Sequence, residues 1–386
     1  MKLFDKYVMI KSIGKGNFGE VFKTQATDSP QLYATKIMAR TLIEQPQRWK
    51  RFANEVNIIM RVKHPNIVRF VDLKKSINNW YLVTEYVNGG SLASNLKKYM
   101  SMYQRPFPEH IAQHLMKQIV DAINYLHFNK IIHRDLKLDN ILVNFPSIED
   151  LKTINLQNCQ VKIIDFGFAT VLNSELTFTA LGTPDNMDPK ILAQFNTGIP
   201  NTGYNEKVDI WSLGTLCYEM VVGRCPFIGT SMDDLYQKVQ EGTYSLPVTL
   251  SDELVNFIND MLQQDEEKRA NAKQLMNHPF LVNPVNTFHP IDVKKIQANY
   301  ISGGIINMNS KQKDLNNNNN NNSNQYNIWT IFNQPEIYKT YSTKTVPVYN
   351  QPQVNPQYQI NQVGVQSQYP PSRPQQNYYY MPQGNY

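Results

Sequence analysis

The apolar residues change their period once along this chain, and that single change separates strand-forming text from helix-forming text. From Tyr7 to about Val87 they fall in short β-rich runs: Tyr7-Val-Met-Ile, Glu20-Val-Phe-Lys, Leu32-Tyr-Ala-Thr-Lys-Ile, Ile67-Val-Arg-Phe-Val and Trp80-Tyr-Leu-Val-Thr-Glu-Tyr. One interruption, in which Trp49, Phe52, Val56, Ile59 and Met60 recur three or four apart, predicts a helix. After Gly89-Gly90 the pattern is helical. Ile111, Leu115, Ile119, Ala122, Ile123 and Leu126 make one stripe, and further helices are expected around Ile210–Val222, Leu235–Glu241, Leu254–Leu262 and Ala272–Met276. Strands gathered at one end and helices at the other define an α+β chain, with a small β-rich body over about 7–87 and a larger helical one over about 88–282. Val143–Gln160 reads as a polar insertion between two short strands, and no internal repeat is found.

Beyond residue 282 the composition changes. A run of seven Asn, Asn316–Asn322, leads into Gln-, Tyr- and Pro-spaced text ending Tyr378-Tyr-Tyr-Met-Pro-Gln-Gly-Asn-Tyr386. Such text buries too little apolar surface to offset chain entropy, so 283–386 is expected to be a largely disordered, low-complexity tail prone to self-association. Segments such as Tyr326-Asn-Ile-Trp-Thr-Ile-Phe332 are suited to folding onto a partner or the body. A wholly disordered and a wholly globular chain are both excluded. Lys and Arg exceed Asp and Glu by 38 to 32 without a long basic block, so nucleic-acid binding is not implied. Three cysteines without a CxxC pair fit a reducing compartment and neither a disulfide framework nor a zinc site. The N-terminus lacks the apolar core of a signal peptide, and no run approaches a membrane span; a soluble, cytoplasmic protein is expected.

Gly14-Lys-Gly16-Asn-Phe-Gly19-Glu-Val21 lies between two strand patterns, where a dinucleotide fingerprint would need a helix to begin. A strand, glycine turn and strand instead make a flap whose backbone N–H groups can approach phosphates. Lys36 follows at the end of a strand pattern. Farther on stand His133-Arg134-Asp135-Leu-Lys137-Leu-Asp-Asn140, Ile163-Ile164-Asp165-Phe166-Gly167 and Asp209-Ile-Trp211-Ser-Leu-Gly214. Each is weak alone. In this order the sequence resembles the eukaryotic protein kinase family over about residues 7–282.

The resemblance implies a bilobal kinase fold, ATP and Mg2+ as cofactors, protein substrates and a protein serine/threonine kinase activity. Catalysis of phosphoryl transfer is mainly alignment and charge stabilisation, which fixes what each residue is expected to do. Lys36 would hold the α- and β-phosphates and Glu55 would pair with it. Asp165 and Asn140 would offer oxygen ligands to the metal, and Asp135 would accept the proton of the substrate hydroxyl. Lys137, in D-L-K-x-x-N, resembles the serine/threonine branch. Ile13, Gly14, Gly16, Gly19, Val21 and Ala34 would enclose the nucleotide, Thr84 takes the gatekeeper position, and the Glu85 and Val87 backbones would meet the adenine. Ile59, Phe166 and His133 would stack into the spine of the active state.

Arg134 before the catalytic Asp implies activation by a loop phosphate, with Thr179 and then Thr177 as candidate sites and Thr183 in the substrate loop. Departures from the family follow: Asp188-Pro189-Lys190 stands where A-P-E is expected, and Asp185-Asn186 where an aromatic is usual. The family Glu pairs with an Arg, here Arg269, so either Asp188 turns in to take Arg269 or Lys190 swings to solvent. Gly167-Phe168-Ala169, the long separation of Asn140 from Asp165, and Gly223-Arg-Cys-Pro-Phe227 with Asp233-Asp-Leu resemble ULK autophagy-initiating kinases. Calcium/calmodulin-type and Aurora-like kinases share most of these motifs. A pseudokinase or scaffold, binding partners through fold and tail, is the competing class; Lys190 and Asn186 favour it, and the intact Lys36, Glu55, Asp135, Asn140 and Asp165 oppose it. An RNA-binding tail lacks the basic–aromatic interleaving it would need.

Overall fold

A computed structural model describes residues 3–16, 19–172, 182–198, 203–285 and 338–342. The β-rich end forms one antiparallel six-stranded sheet of order β1-β2-β3-β4-β6-β5, from Leu3–Phe4, Tyr7–Gly16, Gly19–Ala26, Leu32–Ala39, Phe70–Lys75 (β5) and Asn79–Glu85 (β6). A short helix, α1 (Arg40–Ile43), leads into α2 (Pro46–Arg61), which begins with Pro at its first position, where the missing N–H costs nothing. Met38, Ile43, Phe52, Val56 and Leu82 form the small core beneath this sheet.

Two details differ from the sequence expectation. The strand expected at Ile67–Val71 begins at Phe70, because Ile67 bridges to Ile163 and Val68 N donates to Ile163 O, tying that segment to the other lobe. On α2 the buried face holds Ile58 and Glu55, while Trp49 and Met60 are exposed at 40% and 51%. The true face is rotated toward Ile58, and the rotation carries a carboxylate inward.

The helical end is built on α3 (Leu92–Tyr103), α4 (Glu109–Phe128), α6 (Pro189–Thr197), α7 (Lys207–Val222), α8 (Met232–Glu241), α9 (Asp252–Met261), α10 (Ala272–Met276) and α11 (Pro279–Val282). Helix α7 is apolar on every side and buried from Val208 to Tyr218, so it is the centre of this lobe rather than an amphipathic surface helix. Its C-terminus closes on Gly223 in the left-handed region, φ 85°. Short strands pair between these helices: β7 (Ile131–Ile132) with β10 (Thr170–Val171), and β8 (Ile141–Asn144) with β9 (Gln160–Ile163). The polar insertion between β8 and β9 folds as α5 (Ile148–Thr153) and a 3-10 turn, with Ser147 capping α5. Two further 3-10 turns cover Leu138–Asn140 and Pro184–Asn186.

Beyond Val285 the tail lies outside the described residues except Tyr338–Ser342, which form β12, antiparallel to β11 (Thr243–Pro247). All described residues belong to one compact unit. Among them no helix is long and apolar enough to cross a membrane.

Candidate active site

Strand β4 brings Lys36 between Val21 of β3 and Leu82 of β6. Its ammonium donates to Glu55 Oε1 at 3.1 Å, reaching the carboxylate that α2 turns inward at 8% exposure. Burial alone would depress the Lys36 pKa, but the Glu55 and Asp165 carboxylates outweigh it and hold the ammonium above its usual value. Lys36 is therefore a fixed cation.

Asp165 has φ +63°, rare for a residue with a Cβ, and this turn sends its carboxylate outward while Phe166 goes fully inside. Phe166 meets the His133 ring edge-on at 5.2 Å, and His133 Nε2 lies 3.0 Å from Ile164 O. A Cβ on Gly167 would lie 3.1 Å from Asp165 Oδ1, so glycine there leaves the carboxylate its room. Ile59 and Phe166 share the core that runs between the lobes.

Asp135 is 5% exposed. Its Oδ1 accepts from Thr183 Oγ1 at 2.7 Å, and Lys137 Nζ bridges the same group, 2.8 Å from Thr183 Oγ1 and 3.2 Å from Asp135 Oδ2. Asn140 Nδ2 donates to both Asp135 O and Oδ2 at 2.8 Å, which uses its two hydrogens and leaves its carbonyl oxygen as an acceptor. That oxygen and the Asp165 carboxylate are the hard donors a divalent cation prefers. The donor set fits such an ion.

The residues expected to face a nucleotide have a steric logic that the glycine pattern alone did not reveal. A Cβ on Gly19 would lie 2.0 Å from Ile37 O, so packing on β4 demands glycine there. At Gly14 and Gly16 a Cβ would meet nothing nearer than 3.9 Å among the described residues, so packing against those residues does not require glycine at either position. A glycine without such a packing demand is the residue type that lets a backbone approach a ligand closely. Ile13 precedes Gly14 on β2 and is 41% exposed. Ala34 and Thr84 are partners across β4 and β6. The Glu85 N–H is taken by Arg69 O at 3.0 Å. Among the described residues no hydrogen bond engages the Val87 backbone.

Asp209 entered the sequence reading only as part of a motif, yet it holds the catalytic loop in place. Fully buried on α7, it accepts from His133 N at 2.9 Å and Arg134 N at 2.8 Å, and shares a 2.9 Å bond with His127 Nε2. Those bonds secure Arg134 at φ +68°. Burial would raise the Asp209 pKa, but His127 and the loop N–H donors hold it below the usual carboxylate value. A depressed native pKa makes its contribution complete above the unfolded value near 4 and lost as pH falls through the native one. The Tm of the wild type is therefore expected to fall more steeply below about pH 4 than that of Asp209→Asn. Parallel Tm curves from pH 7 to pH 3 would contradict this. Glu219, also on α7, is pushed up to about 7 by burial and by Asp139 and Asp185.

Arg134 Nε donates to Phe168 O at 2.6 Å and its Nη1 to Tyr204 Oη at 3.2 Å. Thr177 and Thr179 lie outside the described residues. The D-P-K departure resolves into two ion pairs. Asp188, 2% exposed, takes Arg269 Nη1 at 2.5 Å and caps α6 through Lys190 N at 2.7 Å, while the Lys190 side chain pairs with Glu266. Asn186 donates to Thr215 Oγ1 at 2.8 Å and its carbonyl accepts from Ser212 Oγ, pinning the loop to α7. The three cysteines are free, and burial raises each thiol pKa.

A family profile described as "Protein kinase domain" matches residues 7–281, and the chain belongs to that family. Named serine/threonine kinases are among its relatives. It is 31% identical over 280 residues to the serine/threonine-protein kinase PLK4 of Drosophila virilis, covering 72% of this chain and 33% of that one. To the probable serine/threonine-protein kinase fhkC of Dictyostelium discoideum it is 32% identical over 285 residues, 72% of this chain and 44% of the relative. To myosin light chain kinase A of the same organism it is 31% identical over 296 residues, 75% and 93% of the two chains. The chain thus spans about a third of the length of the PLK4 relatives it matches.

Proposed function

We propose that this chain is an active ATP- and Mg2+-dependent protein serine/threonine kinase whose kinase domain covers 1–282, with a 283–386 tail that binds partners. The observation that carries the reading is the joined geometry of the Lys36–Glu55 pair, the outward Asp165 carboxylate and the Asp135–Lys137–Thr183–Asn140 network. Bound ATP and metal would supply the transferable phosphoryl and part of the charge stabilisation. Lys36 would bind phosphate oxygens, and Asp165 with Asn140 would hold the metal. Asp135 is the base for the acceptor hydroxyl; that hydroxyl would take a place on its carboxylate beside Thr183. Lys137 keeps a positive charge beside that proton transfer. Recombinant protein with Mg2+-ATP is expected to phosphorylate itself or a generic Ser/Thr substrate. Background signal in wild type, Asp165→Ala and Lys36→Met alike would select the scaffold reading. With Lys190 and Asn186 both given structural partners, little is left to favour that alternative.

Arg134 further supports activation by a phosphate on the loop, which would add charge-assisted bonds to the guanidinium. Active protein is expected to carry phosphate at Thr179 or Thr177. Mass spectrometry finding both unmodified in active enzyme would sink that part of the reading. The finer branch, a ULK-like kinase acting from the cytoplasm in autophagy-type signalling, is supported by Gly167-Phe168-Ala169 and by the α5 insertion. Loss of autophagic flux on deletion of the gene, rescued by wild type and not by Asp165→Ala, is its test.

A further inference from the structure

We propose that β11 is a strand-addition site and that the tail segment Tyr338–Ser342 occupies it in cis, latching the low-complexity tail to the helical lobe. Strand β11 is held rigidly on one side. Tyr244 and Leu246 are buried at 3% and 0%, and the Tyr244 ring stands edge-on to Tyr218 and Phe227, each at 5.8 Å. Tyr244 Oη donates to Asn259 and Tyr218 Oη to Ser245 O. The helix before it, α8, ends in left-handed Gly242, φ 63°, which turns the chain straight into the strand. Among the described residues β11 pairs with no strand but β12. A segment anchored by its side chains in this way is a template for an extended strand, and main-chain bonds would carry the affinity.

The occupant is specified by register and by sequence. Five residues pair antiparallel, from Thr243 with Ser342 to Pro247 with Tyr338. Pro247 has no N–H and sits where the pairing ends, the position a sheet edge tolerates. The segment lies between Pro335 and Pro347 and holds Tyr338, Thr340 and Tyr341, residue types that favour strands. Fifty-two residues, 286–337, separate the segment from the end of the helical lobe at Val285. At about 3.3 Å per extended residue, that length reaches any point on the body. Being on the same chain raises the local concentration far above that of a free peptide. Ordering five residues costs about as much as so short a ladder returns, so the latch should open and close rather than lock. Its opening would free the β11 edge for another extended, proline-free segment.

Hydrogen exchange on the full chain tests this, read at peptides covering Thr243–Leu246. The comparison is wild type, a deletion of 338–342, and Lys339→Pro/Thr340→Pro, which removes N–H groups on both alternating edges of the strand. Exchange in β11 is expected to be at least about fivefold faster in both variants, with α7 and α9 unchanged as the control on folding. Tenfold dilution of wild type should leave the rate unchanged. Equal β11 exchange in all three proteins would overturn the proposal. Protection that disappears on dilution would also overturn it, by making a second copy the occupant.

Discussion

Asp165→Ala is expected to lower phosphoryl transfer by at least about 10²- to 10³-fold, the loss seen when one fixed charge-stabilising group is removed from a preorganised site. Lys36→Met should do the same, yet the two variants should part on stability. Asp165 is exposed, so its removal leaves no buried charge unpaired; it loses the hydrogen bond from Gly167 N and an attraction for Lys36, and it places Ala at φ +63°, where a Cβ costs about 1–2 kcal/mol. Lys36 is the partner of a Glu55 that is 8% exposed, so its loss strands a carboxylate. Breaking a buried pair from one side costs about 3–5 kcal/mol, less here because the Lys36 side chain is 23% exposed. Lys36→Met should therefore melt lower than Asp165→Ala while both are inactive. Thermal melts beside phosphate-transfer rates check the pair of expectations. Either variant keeping a tenth or more of wild-type turnover would contradict the charge-stabilisation account.

The parts of this site that were readable in the sequence are those that chemistry forces into contiguous words. His133 to Asn140 and Asp165 to Gly167 each bring several groups together within one turn, so their order along the chain is also their grouping in space. Separation hides the rest. Asp209 supports the catalytic loop across 76 residues, through hydrogen bonds to main-chain N–H groups that any residue would offer, so no pattern at position 133 or 134 marks it. The shift of β5 to Phe70 has a similar cause: Ile67 and Val68 are as strand-like as their neighbours, but they spend their pairing on Ile163 of the other lobe. On α2 a three-four count accepted Met60 and missed Ile58, because spacing gives a stripe but not its angle to the sheet. Glycine shows the same limit from the other side. Three glycines in one motif look equivalent, yet only Gly19 is demanded by a neighbouring carbonyl, while a Cβ on Gly14 or Gly16 would make no more than an ordinary contact with the described residues.

The exchange of charges around α6 yields a second large effect. Where the family places Glu two residues later, this chain uses Asp188, and the shorter side chain reaches Arg269 from the position that also caps the helix. Arg269 is 2% exposed and stacks over Trp211 at 5.2 Å, so it cannot turn to water when its partner is lost. Asp188→Ala is accordingly expected to cost about 3–5 kcal/mol, seen as a lower denaturation midpoint with an unchanged m-value. Adding Arg269→Met to Asp188→Ala should recover part of that loss, because the uncompensated cation is gone. Restoring the family residue by Lys190→Glu would not help. It places a carboxylate beside Glu266, whose side chain is 11% exposed and whose present partner is Lys190. It also leaves Arg269 already satisfied by Asp188. Lys190→Glu should therefore destabilise, and Lys190→Glu with Glu266→Lys should restore most of the loss by reversing the pair. A Lys190→Glu protein as stable as wild type would show that the relocated pair contributes nothing and that Asp188 alone accounts for the departure.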